Sequence, residues 1–169
     1  KLIQTVIEST MLLRDKRKSD DIYKKCYEDF CNLPIEYVAI RSKISDFEKQ
    51  EAKIDEHGQV GKGTPLHAKR AIYYNRLLKH YKLENRYESI GSGMKVKYFY
   101  TSKNPFNYKS IAFLDIYPPE LEAVVKVDYQ MMFDKLVAQP MERFYDCIGW
   151  RLPQVGKEVQ TDLFDLFAN

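Results

Sequence analysis

Gly58-Gln-Val-Gly-Lys-Gly-Thr64-Pro-Leu-His-Ala-Lys-Arg-Ala-Ile-Tyr-Tyr-Asn75 is the stretch on which the fold turns: glycines, a threonine–proline step, then a basic and apolar run with helical spacing. Its first half alone looks like a nucleotide-binding loop. A loop of the G-x-x-x-x-G-K-[ST] type needs a glycine where Glu56 stands and a hydroxyl directly after the lysine, where Gly63 stands. It must also follow a buried strand, whereas Glu51-Ala-Lys-Ile-Asp-Glu-His57 is charged and has no β-branched run. The stretch therefore reads as a Gly-rich hinge leading into a helix. Thr64 is expected to cap that helix and Pro65 to take its first position. The helix is predicted to run to about Tyr81, with Leu66, Ile72, Tyr73, Leu77 and Tyr81 among its apolar positions and Lys69, Arg70 and Lys79 also on it.

Upstream, Leu2, Ile3, Val6, Ile7, Leu12 and Leu13 show helical spacing from the first residues, with no capping residue before them. The expectation is a piece of a longer chain that begins part-way through a helix. Ser19 is expected to cap a second helix, with Asp20 and Asp21 near its positive end and Ile22, Tyr23, Cys26, Tyr27 and Phe30 as its apolar stripe. Ile35 to Ile40 reads as short and β-prone, Arg41 to Asp46 as polar, and Phe47 to Gly63 as loop. Downstream, Gly91-Ser-Gly93 and Asn104-Pro105 are turns, and Lys95–Tyr100 and Ser110–Asp115 form a hairpin-like pair with a longer loop. Lys95 and Lys97 fall on one face. Asp128 to Gly149 is predicted helical, interrupted at Pro140.

Charge is uneven. Net charge is +3, yet residues 60–109 hold 11 basic and 2 acidic side chains between two acidic flanks. A basic middle third of this kind is a footprint for a polyanion. There are 13 tyrosines, whose apolar bodies and polar edges suit a surface that meets a partner. No run of eighteen apolar residues and no signal-peptide pattern is present, so no membrane span and no secretion are expected. Cys26, Cys31 and Cys147 form no C-x-x-C motif, and His57, His67 and His80 lie in different elements, so neither disulfide scaffolding nor a zinc site is expected.

The order of motifs resembles the C-terminal part of the family B replicative DNA polymerases of T-even-like bacteriophages. The likeness rests on Thr64-Pro-Leu-His-Ala-Lys-Arg-Ala-Ile-Tyr-Tyr-Asn75, then Gly93-Met-Lys-Val96, Asn104-Pro-Phe106, Lys109-Ser-Ile-Ala-Phe113, Phe133-Asp-Lys135, Pro140-Met141 and Leu163-Phe-Asp-Leu-Phe167. It implies an α+β, mainly helical thumb over residues 1–152, with a small antiparallel sheet or hairpin. Residues 1–15 would end a palm-connecting helix, and residues 153–169 would be a linker and extended clamp-binding tail. It further implies that Lys43, Lys62, Thr64, His67, Lys69, Arg70, Tyr74, Lys95, Lys97 and Lys135 contact primer–template DNA. Leu163, Phe164, Leu166 and Phe167 would enter an apolar pocket of the sliding clamp. Two departures stand out. Lys69 and Arg70 replace the family's usual Arg and Gly, and Gln139 replaces the second of two lysines, leaving Lys135 alone.

Nucleotidyl transfer needs paired carboxylates around two metal ions. The family's D-T-D motif and exonuclease acids are absent from these residues, so the two magnesium ions are expected in a palm outside this stretch, which alone would hold no activity. The palm and exonuclease parts, on the same or a separate chain, would be further partners, in the cytoplasm of an infected bacterium. In the tail, Pro153 and Gly156 read as linker, and apolar side chains among acids need a place to bury. That place is a clamp, or this domain itself. The alternative to a thumb is a free-standing DNA-binding accessory protein of replication.

Overall fold

The computed structural model describes residues 2–13, 15–51, 60–61 and 63–156. Lys62 and the tail positions Leu163, Phe164, Leu166 and Phe167 lie outside the described residues, as does His57. The elements are α1 (Leu2–Leu13), α2 (Lys16–Cys31), α3 (Ile35–Val38), β1 (Ile40–Lys43), α4 (Phe47–Glu51), α5 (Leu66–His80), β2 (Lys95–Lys103), β3 (Ser110–Phe113), α6 (Pro119–Glu122), β4 (Lys126–Val127), α7 (Tyr129–Phe133), a π-helical turn (Asp134–Ala138) and α8 (Gln139–Cys147). The fold is α+β, roughly half helical, with one small antiparallel sheet. The chain divides into two compact units, one from the residues up to Asn32 with those from Tyr129 onward, the other Leu33–Asp128.

In the first unit the stripe of α2 does what its spacing predicts. Tyr23, Cys26 and Phe30 are buried, and Tyr23, Tyr27 and Phe30 meet Phe133 of α7 edge-on at centroid distances of 5.5, 5.0 and 5.3 Å. The cap differs from expectation. Asp15 caps α2, its carboxylate accepting from the Arg17 and Lys18 N–H groups, while Ser19 lies buried inside the helix and donates back to the Asp15 carbonyl. A carboxylate at the helix start both accepts these bonds and meets the positive dipole end, so the earlier of two capping candidates wins. Pro140 does not interrupt the last helix. The widening comes before it, where the Gln139 N–H reaches the Asp134 carbonyl five residues back, and Pro140 falls in the first turn of α8, where a proline is tolerated. Leu152 to Val155 run beside Tyr23, Gln130 and Glu142. Gly156, at φ +71°, sits so close to Gln130 and Tyr27 that a β-carbon would overlap both.

In the second unit the sheet order is β1-β2-β3, and β4 pairs the far end of β2. Two local expectations are corrected. Ile35–Val38 is a helical turn after Pro34 that buries Ile35 and Val38, one turn apart, and the strand starts later, taking in Arg41, Ser42 and Lys43 from the segment read as polar. Phe47–Glu51 is a short helix rather than loop, with Phe47 buried and its N–H donated to Ser92 Oγ at 2.7 Å. The β2–β3 hairpin forms as expected. Asn104 organises its loop, accepting from the N–H groups of Phe106 and Tyr108 and donating to the Tyr108 carbonyl. Helix α5 packs on β3, and Ala68, Ala71, Leu77 and Leu78 of the helix and Ile111, Ala112 and Phe113 of the strand are all fully buried. Leu66, expected on the apolar side, is 52% exposed because it precedes the turn that first meets the sheet.

Candidate nucleic-acid interface

Strand register assembles the charge. β1 and β2 pair antiparallel with Arg41 opposite Lys97 and Lys43 opposite Lys95. Directly opposed residues share a face, so four cations stand together at one end of the sheet. Lys97 is partly covered, donating to the Asp115 carbonyl at 3.2 Å, and the other three are exposed. Arg41, Lys95 and Lys97, with Leu114 and Asp115, line an open depression of about 470 Å³. Among the described residues none of the four cations lies within 4.0 Å of a carboxylate. Arg41 was not among the sequence candidates; finding it required seeing a strand in Ile40-Arg-Ser-Lys43.

The start of α5 lies beside the end of β1, because Ser45 Oγ and His67 Nε2 are 3.3 Å apart. Pro65, not Thr64, is the N-cap residue, and no side chain caps the helix. Pro65 keeps an extended ψ of 144° while its carbonyl accepts from the Lys69 N–H, which moves the helix start one place along. Thr64 is buried, its hydroxyl lacks a partner among the described residues, and it does not cap the helix. The first-turn N–H groups of α5 are therefore left without a side-chain acceptor. Gly63 at φ +91° makes the turn before them, a conformation that favours glycine.

His67 and Lys69 are half-buried on this first turn. Two other candidates are not on the surface. Tyr74 is 1% exposed and belongs to the core, where desolvation and the neighbouring Tyr87 push its hydroxyl pKa up to about 12. Arg70 is 6% exposed, its guanidinium lying over the Tyr98 ring. Burial follows from spacing: Arg70, Tyr74 and Leu77 recur on the face of α5 that meets the sheet. Lys135 is exposed on the π-helical turn of the other unit.

Among the described residues no group of three or more His, Cys, Asp or Glu side chains could hold a metal ion, and no helix is long and apolar enough to cross a membrane. The three cysteines are unpaired thiols. No protein-family model matches the chain, and no curated protein matches it.

Proposed function

We propose that this chain is the C-terminal thumb of a bacteriophage family B DNA-directed DNA polymerase. It grips the primer–template backbone without reading sequence, and its C-terminal peptide tethers it to the sliding clamp. The observation that supports the DNA-binding part is the pair of like-charge ladder positions, Arg41 with Lys97 and Lys43 with Lys95. Like charges placed opposite one another destabilise a sheet. Cations on β1 alone would serve to blunt a sheet edge, but Lys97 is paired with β1 on one side and β3 on the other, where no edge needs protecting. A row of phosphates laid over the face removes the repulsion and turns it into attraction.

The polymerase part is supported by the ordered resemblance set out above. On this proposal nucleotidyl transfer belongs to a palm outside the stretch, and these residues position the duplex. The test is duplex affinity against salt with primer–template DNA of two unrelated sequences. If all four ladder cations meet phosphate, the logarithm of affinity falls with the logarithm of salt with a slope of about −3.6, from about −0.9 per phosphate. A slope near zero, or a strong preference between the two sequences, overturns it. A coding sequence upstream of Lys1 without paired palm aspartates would transfer the same surface to a free-standing accessory protein.

A further inference from the structure

Arg70 is a buried cation without an anion. Its guanidinium carbon lies 3.5 Å from the centroid of the Tyr98 ring and 5.7 Å from that of Tyr100, and Nε donates to Ser110 Oγ at 2.9 Å. Ser110 is itself buried. Among the described residues no carboxylate is within ion-pair distance of Arg70. Taking a charge this far out of water is unfavourable unless something pairs with it, and ring stacking with one hydrogen bond compensates only in part.

What remains is a planar fork with a fixed orientation. Of five N–H donors only the one on Nε has a protein partner among the described residues, and Arg70 keeps 6% exposure. Tyr98 sets the plane and Ser110 the rotation, so little rotamer freedom is left to lose when a two-oxygen acceptor binds. The site is separate from the ladder cations. Tyr98 and Ser110 alternate to the sheet face opposite Lys95 and Lys97, the face under α5.

We infer that Arg70, held by Tyr98 and Ser110, is a preformed site for a single phosphate of a nucleic-acid backbone. This rests on the proposed DNA-binding role and divides its labour: the ladder cations attract the strand, and Arg70 fixes one phosphate in place.

The test follows the Nε–Hε resonance of Arg70 in the 15N spectrum of the full chain, titrated separately with a short duplex and with inorganic phosphate. Saturable movement with duplex, at concentrations where the same molarity of inorganic phosphate has no effect, is the expected result. Arg70→Lys keeps the charge but loses the fork; it should weaken duplex binding about tenfold at fixed salt and leave the salt slope unchanged, whereas Lys95→Ala with Lys97→Ala should lower the slope by about 1.8. Should Arg70→Lys fail to fold, the resonance in the unaltered protein decides. A duplex that binds with the expected salt slope while the Arg70 resonance stays still overturns this inference and leaves the proposed function standing. An Arg70 that responds to inorganic phosphate in a protein with no duplex affinity overturns the nucleic-acid assignment of the site together with the proposed function.

Discussion

Lys95, Lys97 and Phe99 alternate along one strand and share one of its faces, yet they meet opposite fates. Phe99 is fully buried, with the rings of Phe113 and Tyr117 edge-on at 5.9 and 5.2 Å. Two residues earlier, Lys97 begins the four-cation corner with Arg41, Lys43 and Lys95. The buried end follows from folding alone, since apolar burial there is worth about 1.5–3 kcal/mol per large side chain. The charged end does not, because each opposed like-charge pair subtracts from sheet stability. A strand that spends half its length against its own stability is where a ligand should be sought.

The largest expected effect breaks the buried half. Phe99→Ala should cost about 3–5 kcal/mol in urea-induced unfolding, by lost transfer energy and the cavity left between Phe113 and Tyr117. A loss below 1 kcal/mol would mean that the ring cluster is not what holds this end of the sheet.

Alkali attacks the same half. Tyr74 has its pKa raised to about 12 by desolvation and the neighbouring Tyr87, and burial pushes Tyr117 up further. A phenol whose folded pKa lies above its unfolded value of 10 stabilises the fold fully below pH 10, and that contribution fades as pH rises toward 12. Stability should therefore fall between pH 10 and 12, and Tyr74→Phe should flatten part of the fall, on the order of 2 kcal/mol. A profile unchanged by Tyr74→Phe would show that this hydroxyl titrates as freely folded as unfolded.

Binding probes the charged half. Lys95→Ala combined with Lys97→Ala should weaken duplex affinity roughly tenfold near 0.1 M salt, with unfolding free energy unchanged or slightly raised. Equal affinity in the double variant would place the nucleic-acid contact elsewhere.

The two halves also differ in how legible they were. The hairpin, the length of α5 and the α2 stripe were plain because each is written as local periodicity: alternation at 95–100, and recurrence every three or four residues at Tyr23, Cys26 and Phe30. β1 was hidden because Ile40-Arg-Ser-Lys43 alternates apolar or small with cationic residues over only four positions, and its identity as a strand comes from β2, more than fifty residues away. Separation along the chain also hid the burial of Arg70. Next to His67 and Lys69 it reads as a surface cation, and only the rings of Tyr98 and Tyr100 turn it into a buried one. The cap of α5 missed by one residue, since Thr64-Pro65 supports either start and the buried packing of Thr64 selects the later one. The unit boundary at residues 32–33 coincides with the helix stop at Asn32 and Pro34, which reads as the end of α2 rather than as a linker, and the one at 128–129 falls between β4 and α7 with no Gly or Pro beside it.

The smallest expected effect is the most discriminating, because it separates stability from function at one position. Lys95→Glu replaces a repulsion across the ladder from Lys43 with an attraction, on an exposed pair screened by water. Unfolding free energy should rise by about 0.2–1 kcal/mol at low salt, and the gain should shrink as salt is added. Duplex affinity should move the opposite way and by more, since a carboxylate now faces the phosphates. A variant that gains stability while losing affinity would show that the corner is held in a state folding disfavours. If Lys95→Glu lowers stability, then the ladder cations already have solvent or backbone partners good enough to cancel their repulsion, and the contrast between the two ends of β2 loses its meaning.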